Sequence, residues 1–232
     1  MRIAASGMAG FYNNAGYYAS TMIPAVVLAA GRSSRMGRPK ASLPIGGDTF
    51  LSRIVRTLLE ASVEDVVVVV GHDAESIVAD FSESGLPARF VVNANYDLGQ
   101  LSSMLAGLSV VDRPGVAAAL VTLVDVPLVS AATVRAVIDR YRTTRAPVVR
   151  PTSGARHGHP LLLDRSMFAA LRAADPDTGA KPIVRAHASA AGDLEITGDE
   201  GAFTDIDTAE DYQRMLLSSR SDAERAPKPG RN

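Results

Sequence analysis

VVLAAGRSSRMGRPK, residues 26–40, joins an apolar run to a cluster of cations. The apolar run has the pattern of a strand that is buried on both faces. It ends at Gly31, where the missing side chain lets the backbone approach an anion and lets exposed N–H groups donate to it. Arg32, Arg35 and Lys40 then supply positive charge that can neutralise a triphosphate. The stretch therefore predicts a central strand followed by a loop that binds a polyphosphate.

Two familiar phosphate-binding loops do not match this spacing. The dinucleotide-binding fingerprint needs the pattern GxGxxG, whereas Gly31 and Gly37 stand alone. The Walker loop needs GxxxxGK[ST], whereas Gly37 is followed by RPK at residues 38–40. The alternative to a binding loop is a solvated basic loop after a core strand.

Composition excludes several classes of function. The chain has 232 residues, which is enough for one α/β domain with a full core. Its 24 basic and 25 acidic residues leave a net charge of −1, whereas wrapping nucleic acid or binding a membrane surface needs a basic excess. The sequence has no cysteine, so disulfides and thiolate metal sites are excluded. No apolar run approaches the length of a membrane span. We expect a cytoplasmic protein without nucleic-acid or membrane partners.

The rest of the chain alternates between strand-like and helix-like patterns. Asp48 or Thr49 can cap a helix whose apolar face starts at Phe50. Five consecutive valines, residues 66–70, indicate a buried central strand. Further strands are predicted at residues 89–93, 116–124, 147–151 and 158–163, and further helices at residues 75–81, 104–110, 134–141, 166–174, 183–187 and from 208 onward. This alternation is typical of a right-handed, parallel α/β sheet.

The predicted domain organisation is simple. Residues 1–22 are rich in Gly, Ala, Asn and Tyr, and glycine and asparagine residues interrupt any segment that would serve as a secretory signal. We expect a flexible N-terminal extension over residues 1–22, one domain over residues 23–217, and a flexible polar tail over residues 218–232.

A polar turn follows the predicted strand at residues 89–93. It contains Gly99 and leads into a helix whose N-cap is predicted at Ser102 or Ser103. The N–H groups at the start of that helix would point back toward the turn, where they can bind an anion. Open parallel sheets bind their ligands at the carboxyl ends of the strands, so the turn belongs to the same predicted site as residues 26–40.

Two carboxylates complete the predicted site. Asp125 follows the strand at residues 116–124, and Asp207 lies in the segment DIDT before the last helix. Mg²⁺ prefers oxygen ligands and is usually held by one or two carboxylates together with substrate phosphates. The pair therefore predicts a magnesium site for phosphoryl or nucleotidyl transfer. Two alternatives stay open: Asp125 is a turn residue before Pro127, or Asp205 and Asp207 only favour the helix N-terminus, an alternative that is stronger for Asp205.

Three further residues carry weaker signals. His157 and His159 resemble part of a metal site, but the sequence offers no suitable third ligand nearby. Lys181 can reach a phosphate or simply be solvated. We assign no role to these three side chains.

Residues 23–217 resemble the MobA-like NTP transferases, and above all their molybdenum cofactor cytidylyltransferase (MocA-like) branch. The resemblance rests on five motifs: LAAGRSSRMGRPK at 28–40, Gly99 with Ser102 and Ser103, DVP at 125–127, GHP at 158–160, and DIDT at 205–208. It implies a Rossmann-like three-layer α/β/α sandwich of the nucleotide-diphospho-sugar transferase type. The sheet of such a sandwich is mostly parallel and carries one antiparallel strand.

The resemblance also implies roles for individual residues. Nucleotide binding is expected at Leu28, Ala29, Ala30, Gly31, Arg32, Ser33, Lys40, Gly99, Ser102 and Ser103. Catalytic roles are expected for Arg35, Lys40 and Asp125, and Mg²⁺ ligation for Asp125 and Asp207. The implied reaction is attack by a phosphate-bearing acceptor, such as molybdopterin or the molybdenum cofactor, on the α-phosphate of an NTP, with release of pyrophosphate.

The LAAG sequence at residues 28–31 favours CTP as the donor, because guanylyl-transferring members of the family tend to carry LAGG. Three alternatives remain: another acceptor such as a sugar phosphate, GTP as the donor, or a non-enzymatic module that delivers a nucleotide or cofactor to a partner such as a molybdoenzyme. A member of this branch with another role, including a redox role, is also consistent with the motifs.

Overall fold

The computed structural model describes residues 22–225 of the chain. Its strands are β1 (Ala25–Ala29), β2 (Pro44–Ile45), β3 (Asp48–Thr49), β4 (Val66–Val70), β5 (Arg89–Val92), β6 (Ala118–Leu123), β7 (Val148–Ser153), β8 (Arg156–His157), β9 (Leu161–Asp164) and β10 (Asp193–Glu195). Its α-helices are α1 (Phe50–Glu60), α2 (Ala74–Ser82), α3 (Gln100–Val111), α4 (Ala131–Thr144), α5 (Met167–Arg172), α6 (Lys181–His187) and α7 (Ala209–Arg225). The predicted N-terminal extension, apart from Met22, and the last seven residues of the predicted tail, 226–232, lie outside the described residues.

A mostly parallel sheet positions every other element. Its strand order is β10-β7-β9-β6-β1-β4-β5, and β8 also pairs with β7. β1 lies between β4 and β6 and is parallel to both, with Ala25 opposite Val66 and Leu120. β9 runs antiparallel to both of its neighbours, β6 and β7. The predicted Rossmann-like sandwich with a mostly parallel sheet is confirmed.

The valines of β4 show why the chain forms three layers. Val66, Val68 and Val70 pack with α1, α2 and α4 on one face of the sheet. Val67 and Val69 pack with α3 and α5 on the other face. Since successive side chains of a strand point to opposite faces, an unbroken run of valines is stable only where helices cover both faces.

α3 approaches the sheet closely because Gly107 faces β1. A Cβ atom at this position would lie 2.3 Å from Cγ1 of Val26, so a larger side chain would push the helix away. The close packing brings the N-terminus of α3 to the carboxyl end of β1. The cationic loop of residues 31–40 begins at that same end.

The start of α3 differs from the prediction. Its N-cap is Gly99, and both Ser102 and Ser103 lie inside the helix. Gly99 has a φ of 95°, a left-handed value that glycine adopts without strain. The hydroxyl oxygens of the two serines accept hydrogen bonds from Nδ2 of Asn93 at 2.9 and 3.0 Å. These hydroxyls therefore join α3 to the end of β5 and do not cap the helix.

The last helix is longer than the sequence pattern suggests. α7 continues to Arg225, beyond residue 217, the predicted end of the domain. Its first turn carries Glu210 and Asp211, which favour the positive end of the helix dipole. Of the helices that residues 22–225 form, none combines the length and the apolar character needed to cross a membrane.

Candidate active site

A cleft of about 370 Å³ opens at the carboxyl ends of β1 and β6. Most of the predicted site residues line it: Leu28, Ala30, Gly31, Arg32, Ser33, Arg35, Lys40, Gly99, Ser103, Asp125 and Asp207. Two predicted residues do not. Ala29 faces the opposite side of the sheet and packs with Ala25 and Val27. The Ser102 hydroxyl lies 2.9 Å from the Asn95 carbonyl oxygen, inside the turn that precedes α3.

The cationic loop folds back so that its last residue enters the cleft. Ser33 and Gly37 have φ values of 49° and 68°, and they bracket a short 3₁₀ turn, Ser34–Met36. Oγ of Ser33 accepts a hydrogen bond from the backbone N–H of Lys40 at 3.0 Å. The backbone of Lys40 is therefore fixed, and its side chain projects toward the two aspartates of the site.

Lys40 lies between two carboxylates inside the cleft. Its Nζ is 2.5 Å from Oδ1 of Asp207 and 3.3 Å from Oδ2 of Asp125, and only 10% of its side chain is exposed. Nη2 of Arg35 lies 3.6 Å from Oδ2 of Asp207. The hydrogen bond from Lys40 holds the pKa of the Asp207 carboxyl below its ordinary value. The N–H of Ile206 donates to the Asp125 carbonyl oxygen at 2.8 Å, so the backbone holds the two acidic segments side by side.

The oxygen ligands of the cleft fit a divalent cation that takes its remaining ligands from a substrate. Across residues 22–225, no group of three or more histidine, aspartate or glutamate side chains is arranged to hold a metal ion. Asp125 and Asp207 offer two carboxylates, and Oδ1 of Asp125 is buried without a hydrogen-bond partner among these residues. A buried, unpaired carboxylate oxygen is costly unless a ligand satisfies it. Mg²⁺ and similar hard cations accept one or two protein carboxylates and complete their shell with phosphates and water.

Asp205 lies closer to Asp125 than the sequence indicates. Although the residue as a whole is exposed, desolvation of its carboxyl raises its pKa, and the negative charge of Asp125 raises it further. Asp205 lies four residues before α7, which begins at Ala209. Nδ1 of His159 is buried without a partner among the described residues, and burial lowers the pKa of its imidazole. The charges of Asp205 and Asp125 therefore interact, although Asp205 is not among the residues that line the cleft.

Several lining residues escape the sequence patterns, among them Tyr96 and Gln100. Tyr96 lies three residues before Gly99 and Gln100 directly follows it, so the polar turn was the signal that could have identified both.

Arg32 forms a bidentate ion pair with Asp97 across the cleft mouth, at 2.9 and 2.8 Å. Its guanidinium also lies 5.6 Å from the centre of the Tyr96 ring. The structure therefore gives Arg32 partners in the turn before α3, whereas Arg35 and Lys40 pair with Asp207.

A Rossmann-like sheet with a cationic loop and paired carboxylates at its carboxyl edge defines a nucleotide-binding class of protein. The chain belongs to the MobA-like NTP transferase family, since the model of that domain matches residues 25–191. The matched region includes the cationic loop and Asp125 and ends before Asp207. The resemblance drawn from the motifs is therefore confirmed at the level of the family.

Relatives of known name span nearly the whole domain. Nicotine blue oxidoreductase of Paenarthrobacter nicotinovorans is 33% identical over 207 residues, which cover 84% of this chain and 96% of that protein. Rv0371c from Mycobacterium tuberculosis H37Rv has a similar structure, with a TM-score of 0.70, 30% identity, and coverage of 85% of this chain and 98% of that chain. A structure of Rv0371c in complex with manganese matches with a TM-score of 0.68 and 26% identity over 85% and 98% of the two chains. A nucleotidyl transferase from Methanothermobacter thermautotroptrophicus matches with a TM-score of 0.68 and 26% identity over 85% and 99% of the two chains.

Proposed function

We propose that this protein is a Mg²⁺-dependent nucleotidyltransferase that moves CMP from CTP to a small phosphate-bearing acceptor and releases pyrophosphate. Molybdopterin or the molybdenum cofactor is the proposed acceptor, as the motifs of the MocA-like branch imply. The observation that carries the proposal is the position of Lys40 between Asp125 and Asp207, below a loop that offers further cations.

The residues of the cleft suit each part of this reaction. An acceptor phosphate oxygen forms a bond to the α-phosphorus, and the bond from that phosphorus to the pyrophosphate oxygen breaks. Lys40 and Arg35 are placed to stabilise the charge that develops on the departing pyrophosphate. Asp125 and Asp207 would hold the cation, which when bound offsets charge on the phosphates. α3 begins after Gly99 without a side-chain cap, and Gly99, Gln100 and Ser103 line the same cleft, so the N-terminus of this helix favours anions there.

Ala30 supports CTP as the donor. It lines the cleft, and only 4% of the residue is exposed, so its methyl group has a fixed position where the strand meets the loop. A methyl group there crowds a two-ring purine more than a one-ring pyrimidine. Steric discrimination of this kind is worth about 1–3 kcal/mol.

The comparisons add support of a general kind. A relative named as a nucleotidyl transferase matches 85% of the chain, and the manganese complex of Rv0371c indicates that a similar fold accepts a divalent cation. We carry both properties to this protein as part of the proposal.

Pyrophosphate release tests the proposal. The protein is mixed with Mg²⁺, one of the four NTPs, and an acceptor from a panel of molybdopterin, molybdenum cofactor and sugar phosphates. We expect release with CTP and the molybdopterin compounds, and its loss in the variant Asp125→Asn. Binding of CTP without release for every acceptor would instead identify a module that delivers a nucleotide or cofactor to a partner.

An oxidoreductase is the second candidate function. It is favoured by one observation, the match to nicotine blue oxidoreductase over 96% of that protein. A hydride transfer needs no paired carboxylates for a metal, so it would leave Asp125 and Asp207 without a role. Oxidation of a reduced nicotinamide nucleotide in the presence of a heteroaromatic dye, with wild-type rates in Asp125→Asn, would favour this candidate over nucleotidyl transfer.

A further inference from the structure

The ammonium of Lys40 lies where a cation is expected to lie. Nζ contacts Oδ1 of Asp207 and Oδ2 of Asp125, the two carboxylates to which we assign the divalent cation. Lys40 is also the least exposed of these three side chains, at 10%, against 23% for Asp125 and 40% for Asp207. The ammonium is thus seated between the carboxylates and screened from solvent.

A divalent cation and this ammonium cannot share the space between the carboxylates. Two cations within a few ångströms of each other repel strongly in a partly buried site. The backbone N–H of Lys40 is tied to Oγ of Ser33, so only the side chain is free to move away. The same side chain lines the cleft that faces Gly31 and the N-terminus of α3, where phosphates would lie.

We infer that Lys40 is a tethered competitor of the metal, which makes metal and nucleotide bind cooperatively. In the free protein, the ammonium neutralises Asp125 and Asp207 and opposes metal entry. A bound triphosphate offers the ammonium another anionic partner, so the carboxylates become available to the cation. By linkage, the metal must favour nucleotide binding by the same factor. This inference rests on the proposed metal site.

Mn²⁺ binding in the absence of nucleotide tests the inference, with the free ion measured by electron paramagnetic resonance. Lys40→Met keeps the length of the side chain and removes its charge. We expect this variant to bind Mn²⁺ about 5–150-fold more tightly than the wild type, the usual range of coupling between linked ligands. Lys40→Gln repeats the measurement if thermal unfolding shows that the methionine variant does not fold.

Arg38→Met is the matched control. Arg38 belongs to the same loop and donates to the Ser42 carbonyl oxygen at 3.0 Å. Its removal deletes one positive charge from the loop without altering the partners of Asp125 and Asp207. We expect the Mn²⁺ affinity of Arg38→Met to be close to that of the wild type. An equal gain in Mn²⁺ affinity in Arg38→Met and Lys40→Met would show that only the net charge matters, and would overturn the inference.

The double variant Lys40→Met with Asp125→Asn separates the inference from the proposed function. Loss of the gained Mn²⁺ affinity in the double variant supports both. Equal affinity in the wild type and in Lys40→Met, with weaker binding in Asp125→Asn, overturns the inference and leaves the metal site intact. Gained affinity that persists in the double variant places the metal elsewhere and overturns both.

Discussion

The two edges of the parallel sheet use opposite arrangements of charge. At the amino-terminal edge, the carboxylate of Asp112 lies between two arginines, with Oδ1 2.8 Å from Nε of Arg165 and Oδ2 2.6 Å from Nη2 of Arg172. Asp65 is held in the same way between two arginines that lie near the starts of β5 and β6. At the carboxyl-terminal edge, one lysine lies between two aspartates.

We attribute this difference to a structural role at the first edge and to the proposed binding role at the second. Both oxygens of Asp112 are satisfied by protein groups, so that cluster is complete without a ligand. At the other edge, Oδ1 of Asp125 is buried and unpaired within the described residues, and the pKa of Asp205 is raised by desolvation and by the nearby charge. Buried polar atoms without partners and carboxyl groups with shifted pKa values are typical of sites that bind ligands or catalyse reactions.

Removal of the paired carboxylates is expected to have the largest effect. Asp125→Asn and Asp207→Asn should each lower turnover by about 10³-fold or more while the fold survives, because a metal ligand contributes several kcal/mol of transition-state stabilisation. Pyrophosphate release measures the loss, and Asp112→Asn is the matched control at the opposite edge. Near-normal release by Asp125→Asn, or an equal loss in Asp112→Asn, would erase the contrast between the edges.

Loss of the lysine is expected to have the next largest effect. Lys40→Ala should lower kcat/KM by about 10²–10³-fold, since it removes one electrostatic contact to the departing pyrophosphate. Arg38→Ala, which removes a charge from the same loop, should have little effect. A change of less than about threefold for Lys40→Ala would place that side chain among ordinary solvated cations.

The preference for CTP over GTP tests the proposed role of Ala30 in the cleft. Wild-type protein should favour CTP over GTP by about 10–200-fold in kcat/KM, and Ala30→Gly should erode this preference without inverting it. Competition kinetics with both nucleotides measures the ratio. Equal or better use of GTP by the wild type would contradict the cytidylyl assignment.

The smallest expected effects are on stability, and they should have opposite signs at the two edges. The hydrogen bond from Arg172 lowers the pKa of Asp112, so its stabilisation is present above the ordinary carboxyl pKa of about 3.9 and is lost as the pH falls through the lowered value. Asp112→Asn should therefore lower the Tm at pH 7 by about 2–4 °C, for a contribution of about 1 kcal/mol.

Asp205 should behave in the reverse way. Because its pKa is raised in the folded protein, the ionised carboxyl reduces stability above its ordinary pKa, and Asp205→Asn should raise the Tm at pH 7. Turnover should fall much less than in Asp125→Asn. Thermal unfolding of both variants between about pH 3 and pH 7 tests the pair, since both differences from the wild type should shrink as the pH falls. Shifts of the same sign at pH 7 would contradict the assignment of the edges.

Much of the fold could be predicted because it depends on local patterns. The apolar run that starts at residue 26 and the valines at 66–70 form β1 and β4 in the structure, since both require burial on two faces. Asp125 could be predicted because it follows a buried strand, and Asp207 because it lies in the DIDT motif before the last helix. The family resemblance came from the same short motifs.

Other features depend on contacts between distant parts of the chain. Lys40 is 85 residues from Asp125 and 167 from Asp207, so no local pattern shows that its ammonium lies between them. The predicted cap of α3 was wrong because the helix starts after Gly99, and the Ser103 hydroxyl instead binds Asn93, ten residues earlier. Asp205 resembled a residue that favours a helix terminus, since its nearness to Asp125 appears only after folding.

Transfer of a labelled α-phosphate tests nucleotidyl transfer at the carboxyl-terminal edge most directly. CTP labelled at the α-phosphorus is incubated with Mg²⁺, molybdopterin or molybdenum cofactor, and either wild-type protein, Asp112→Asn or Asp125→Asn. We expect the label to move to the acceptor with the wild type and with Asp112→Asn, and to stay in CTP with Asp125→Asn. Label that stays in CTP with the wild type, or that moves equally well with Asp125→Asn, would contradict the account.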